Sequence, residues 1–192
     1  MLAYNIALFI HFVGLISVFG GFVIVARAGS RLRAATDMEQ VRTWLALLTT
    51  TGPMFGAGYG MLLLSGIYMM ATRWRGAHPW LIVAMLSLLA IWIVGGAILG
   101  RRVRAMNAAA AETKGSISGE LALQIANPSL WRTVGTLNGL AMGVVFVMTI
   151  KPGWLVSLSV AAIAAAIGAA VGAASARSAP RRGAVGAQAA QS

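Results

Sequence analysis

Five long apolar stretches, with every Asp, Glu, Lys and Arg confined to the gaps between them, restrict this chain to one class of fold. The stretches cover about 3–25, 44–71, 80–100, 133–150 and 154–174. A helix of ~20 residues spans a hydrocarbon core of ~30 Å. Each stretch meets that length and is far too long for a barrel strand. Lipid offers backbone groups no hydrogen bonds, so the stretches must satisfy their own. The expected fold class is therefore all-α: a polytopic transmembrane bundle of five spans over 1–174, followed by a disordered basic tail at 175–192.

Composition supports this expectation. The chain is 59% hydrophobic and only 10% charged, where a soluble domain carries about 25% charged residues. It has no cysteine, which removes disulfides, thiolate metal sites and thiol catalysis. The net charge of +11 does not point to nucleic acid, because the basic residues lie at the ends of apolar spans, beside lipid headgroups. The bilayer itself is the first expected partner. Arginine outnumbers lysine and alanine is abundant, a bias that suggests a bacterial source and hence the cytoplasmic (inner) membrane. The first apolar run has no basic residues before it and no clear cleavage site after it, so it is expected to be a retained first helix.

The basic residues also suggest an orientation. Arg27, Arg31, Arg33, Arg42, Arg101, Arg102, Arg104, Lys114, Arg132, Arg177, Arg181 and Arg182 fall in the first and third loops and the tail; only Arg73, Arg75 and Lys151 fall in the second and fourth loops. The positive-inside rule then puts the N-terminus outside and the C-terminus inside. Trp74, Trp80 and Trp154 would mark the outer boundary, and Trp44 and Trp131 the inner one. Trp92 falls in neither belt and is expected inside the bundle or against lipid.

Local chemistry adds detail. Gly52-Pro53 should kink the second span, and the preceding Thr49, Thr50 and Thr51 can return hydrogen bonds to their own helix. The loop over 101–132 is the longest polar stretch; Ser118 should start a short surface helix that ends before Asn127, with Pro128 opening the fourth span. Lys151-Pro152-Gly153 has the chemistry of a tight turn.

Glycines recur every four residues at Gly52, Gly56 and Gly60, at Gly135, Gly139 and Gly143, and at Gly168 and Gly172 after Ala164. Such ridges let helix backbones approach closely. They are expected to serve helix packing, with spans two and four in contact, and a homodimer or larger membrane complex as the alternative use.

His11 is the strongest chemical side chain inside a span. It lies ~12 Å from the outer end of the first helix. A histidine at that depth is costly without a partner, and neutral imidazole is a common metal ligand. Met85 and Met142 fall at similar depth on spans three and four, so a His/Met pair holding haem iron, or a soft metal ion at His11, is one expectation. A hydrogen bond to a backbone carbonyl or a hydroxyl is the other. Asn138 and Tyr59 are expected to hydrogen-bond across helices. The four acidic residues all lie outside the spans, which argues against carboxylate catalysis in the membrane. No nucleotide, zinc-protease or serine-hydrolase motif is present.

The first helix, LFIHFVGLISVFGG, and the segment VVFVMTIKPGW resemble small bacterial membrane families. These are the copper-resistance-D-like proteins, the membrane protoporphyrinogen oxidases and, most closely in size, predicted integral membrane proteins of unknown function. In the protoporphyrinogen oxidases a first-helix histidine is associated with haem, so the resemblance implies haem b at His11. Three expectations follow: a haem- or metal-binding inner-membrane protein, a non-catalytic accessory or scaffold subunit, and a permease component for a small solute.

Overall fold

The computed structural model describes residues 1–74 and 78–177. Seven α-helices and one π-helical turn follow in order: α1 (Leu2–Ala34), α2 (Met38–Arg73), α3 (Pro79–Val94), the π turn (Gly95–Leu99), α4 (Gly100–Glu112), α5 (Gly119–Ala126), α6 (Pro128–Ile150) and α7 (Trp154–Arg177). Five helical stretches are long and apolar enough to cross a membrane: Leu2–Ala34, Met38–Arg73, Pro79–Glu112, Gly119–Ile150 and Trp154–Arg177. The all-α polytopic expectation holds. Arg75 and the tail over 178–192 lie outside the described residues, while 175–177 complete α7.

The helices overrun the expected loops. α1 has 33 residues, or ~50 Å at 1.5 Å per residue, well beyond the ~30 Å hydrocarbon core. The reason is amphipathic spacing in the polar segments. Met38, Val41, Leu45 and Leu48 recur at three and four residues along α2, Met106 and Ala110 lie on one face of α4, and Leu121 and Ile125 on one face of α5. These residues close on Ala28, Leu32, Leu130 and Trp131 into a buried core at the basic end of the bundle. The first loop thus shrinks to the break at Ala35-Thr36-Asp37.

The helix ends are set by caps. Asp37 accepts from the Gln40 backbone N–H at 2.8 Å, while Gln40 Oε1 accepts from the Thr36 N–H at 3.4 Å. Ser118 accepts from the Leu121 N–H at 3.3 Å and starts α5 where expected. Asn127 caps α6, with Pro128 in its first turn. Arg42 donates to the carbonyls of Ala110 and Thr113 at 3.0 and 2.7 Å, which ties α2 to the C-terminal end of α4.

Two helical hairpins form the frame. In the first, Ala7, Gly14, Gly21 and Ala28 recur every seven residues on α1 and are all buried; Gly14 and Gly21 face α2, and Ala28 faces the basic-end core. In the second, Lys151 takes a left-handed conformation (φ 55°) at the turn, and α6 and α7 share the most extensive helix contact in the molecule. α3 packs chiefly against α6 and α7, and α4 against α2. α2 is one continuous helix through Pro53. Thr49, Thr50 and Thr51 donate to the carbonyls of Ala46, Leu47 and Leu48 just before it.

At the end opposite the basic core, Trp74 meets Trp80 edge to face at 5.3 Å, and His78 stacks on Trp80. The Lys151 ammonium lies 4.5 Å from the Trp74 ring centre, joining the two loops at that end.

Candidate functional site: an intramembrane cavity

His11 finds a hydroxyl partner. Its Nδ1 lies 3.0 Å from Ser65 Oγ, and the Ser65 hydroxyl donates to the Met61 carbonyl. With its proton on Met61, Ser65 can accept from His11 Nδ1–H, the tautomer that leaves Nε2 its lone pair. Met85 shares this layer. Its Sδ and His11 Cε1 stand 3.7 and 3.8 Å from the point where a Gly66 β-carbon would lie. Met142 is 57% exposed on the bundle surface, while α6 turns Leu137, Ala141 and Val144 inward. Among the described residues, no group of three or more His, Cys, Asp or Glu is placed to hold a metal ion.

The glycine ridges divide into two kinds. Gly135, Gly139 and Gly143 on α6 meet Ala164, Gly168 and Gly172 on α7. A β-carbon at Gly135 would overlap the Gly168 carbonyl oxygen, and one at Gly139 would overlap the Ala164 carbonyl oxygen. These ridges are filled within the chain and present no groove to a second copy. The α2 ridge behaves differently. β-carbons at Gly52, Gly56 and Gly60 would meet nothing within 4 Å. The expected packing of span two on span four is not formed; α2 and α6 instead stand on opposite walls of a cavity. Each hairpin fills its own small faces, and the two meet through a core of Val18, Tyr59, Leu62, Leu88, Ile91, Leu137, Ala141 and Val144, beside which the cavity remains.

The cavity holds about 470 Å³, within the range of small-molecule sites. Phe22 of α1 and Gly52, Phe55, Gly56 and Tyr59 of α2 line one side. Ile91 and Trp92 of α3, Gly95 and Gly96 of the π turn, and Leu137 and Asn138 of α6 line the other. Every wall residue in the apolar spans lacks a formal charge; Arg104 is the charged one, exposed at the basic end. Trp131 closes that end. Its Nε1 donates to the Ile125 carbonyl at 2.8 Å, the Arg33 guanidinium sits 4.0 Å over its ring, and the absent side chain of Gly29 makes room for the ring.

Among the lining residues of the apolar stretches, Gly52 and Pro53 on α2, Trp92 on α3 and Gly96 in the π turn are the exposed ones, which marks the gap between α2 and α3 as the opening. α2 and α3 pack sparsely, and the glycines on both rims put no side chain in the gap. The π turn lies beside this gap, as such turns often lie beside functional sites.

Two polar groups in the wall lack partners. Tyr59 is only 3% exposed, yet its hydroxyl makes no hydrogen bond, and neither does the buried Oδ1 of Asn138. The expected cross-helix hydrogen bonds are absent; both side chains face the space between the hairpins. Phe55 stacks on Tyr59 at 6.1 Å and 17°, and Phe22 packs against Phe55 at 5.2 Å, so the α1–α2 wall is aromatic. Sequence reading had marked Tyr59 and Asn138 as polar groups in the membrane but missed Phe22, Phe55 and the rim. The available signal was a glycine ridge beside a proline with no matching small face on a neighbouring span.

The fold and cavity define the class: an all-helical protein with five helical stretches long and apolar enough to cross a membrane, and a cavity between them. Compared with protein-family profiles, with curated proteins and with solved structures, the chain matches none of them.

Proposed function

We propose that this chain is a small bacterial inner-membrane protein, N-terminus outside and C-terminus inside, that binds an uncharged lipophilic molecule entering from the bilayer between α2 and α3. It acts as an accessory or permease component, without catalysis of its own. The observation that carries this reading is a cavity of about 470 Å³ lined by Tyr59 and Asn138, two residues whose Oη and Oδ1 are buried and unpartnered. Each unsatisfied buried group costs about 1–3 kcal/mol, a cost that a ligand removes on binding. The orientation rests on the surplus of Lys and Arg at the end of the bundle that holds α4 and α5.

The test is mass spectrometry of the lipophilic extract of purified protein beside Gly56→Leu. A β-carbon at Gly56 meets nothing within 4 Å, so a leucine there projects from the cavity lining and takes up part of its volume. The expected result is a species retained by wild type and lost from the variant. Identical extracts, together with equal uptake of added lipophiles, would sink the reading.

A second reading, haem b or a soft metal ion at His11, is favoured by one observation: His11 and the Met85 sulfur both lie against Gly66, and the Ser65 contact suits the tautomer with a lone pair on Nε2. A visible spectrum of the protein, oxidised and reduced, beside His11→Ala tests the haem. Elemental analysis of the same pair tests the metal. No signal that depends on His11 would leave it a packing residue.

A further inference from the structure

We infer that the cavity takes a lipid with a planar, hydroxyl-bearing aromatic head, a hydroquinone-type molecule, with its ring between the α1–α2 wall and α3. This inference rests on the proposed function and names the ligand class of the same site. Three observations carry it.

The first is hydrogen-bond complementarity. Tyr59 Oη and Asn138 Oδ1 are both buried and unpartnered, and both line the cavity beside Ile91 and Leu137. The phenol donates, and the amide oxygen only accepts. A ligand that meets both offers an oxygen acceptor to Tyr59 and an O–H donor to Asn138. A simple ketone, ester or ether supplies only the first. A hydroxyl supplies both, because its oxygen accepts while its hydrogen is donated; the walls then choose between an aliphatic and an aromatic carrier.

The second is wall shape. Phe55 lies nearly parallel to Tyr59, Phe22 packs on Phe55, and Trp92 stands on the opposite rim, 42% exposed. Flat aromatic faces favour a planar ring over a branched or purely aliphatic head.

The third is charge. Of the residues that line the cavity, Arg104 alone carries a formal charge. It is thirteen positions along the α3–α4 helix from Ile91, or ~20 Å at helical rise. An ionised head beside Tyr59 and Asn138 would lie without a counter-ion in low dielectric. The head is therefore neutral, and the gap between Gly52-Pro53 and Trp92-Gly96 lets an alkyl or prenyl tail remain in lipid.

The experiment uses the full chain in nanodiscs and measures retention of decylhydroquinone, decylbenzoquinone and decanol above that of empty nanodiscs. Oxygen is excluded so that the hydroquinone stays reduced. Wild type is expected to hold decylhydroquinone at least tenfold more tightly than decanol. Tyr59→Phe and Asn138→Leu are each expected to weaken decylhydroquinone about five- to tenfold. Decylbenzoquinone only accepts, so it should respond to Tyr59→Phe and not to Asn138→Leu. Decanol bound as tightly as decylhydroquinone, or binding indifferent to both substitutions, overturns the aromatic-head inference while the lipophile-binding reading stands. No probe retained above empty nanodiscs, by wild type or by Gly56→Leu, overturns both and leaves water as the occupant.

Discussion

Tyr59 and Asn138 show how a residue can lower the stability of the fold that holds it. Both carry a polar atom that is buried and unpartnered. Replacing such a group by an apolar one of similar shape removes the desolvation cost and loses no bond. Tyr59→Phe and Asn138→Leu are therefore expected to raise the stability of the ligand-free protein, each by about 1 kcal/mol, in denaturant titrations in detergent. A loss of stability in both would mean that the two groups are satisfied in the native protein, and the case for a ligand would fail with it. Ser65 should behave in the opposite way. Its hydroxyl links His11 Nδ1 to the Met61 carbonyl, so Ser65→Ala strands the imidazole N–H and should lower stability by about 1–2 kcal/mol. Sequence reading located all of these polar residues inside the membrane. It could not tell satisfied from unsatisfied, because that depends on which neighbour each side chain meets.

Among the elements, the glycine ridges look alike along the chain and behave unlike one another. On α6 and α7 the absent side chains let two backbones touch; on α2 the same spacing leaves a gap. Gly139→Leu should force α6 and α7 apart and cost at least 3 kcal/mol, the scale of severe overpacking. Gly56→Leu should leave stability within about 1 kcal/mol of wild type, because a β-carbon there meets nothing within 4 Å. Equal damage from both substitutions in the same unfolding assay would contradict this division. The α1–α2 hairpin was legible by another route. Ala7, Gly14, Gly21 and Ala28 form a seven-residue repeat of small residues, the period of a supercoiled pair, but a search at four-residue spacing passes over it. The extension of α1, α2 and α4 beyond the bilayer was also hidden. Their outer turns are polar in composition and helical only because their sparse apolar residues share one face.

For the whole molecule, the basic surplus at one end defines a testable orientation. The natural chain has no cysteine, so single cysteines can be introduced without competition. Ser116 and Gly153 are exposed at opposite ends of the bundle. In intact cells, Gly153→Cys is expected to react with a membrane-impermeant thiol reagent and Ser116→Cys to react only after lysis. The reverse pattern would invert the assignment. The number of long apolar helices, the short helix after Ser118 and the turn at Lys151 followed from sequence alone, since each depends on local composition, helix period or cap chemistry. Which helices pair, which glycines are filled and where the open space lies were decided only by the tertiary structure. Lipid supplies no hydrophobic force between helices, so pairing in the spans is chosen by the fit of surfaces whose residues are far apart in the chain. The cavity exists because two well-matched hairpins leave an unmatched face between them, and no single segment of the sequence records that mismatch.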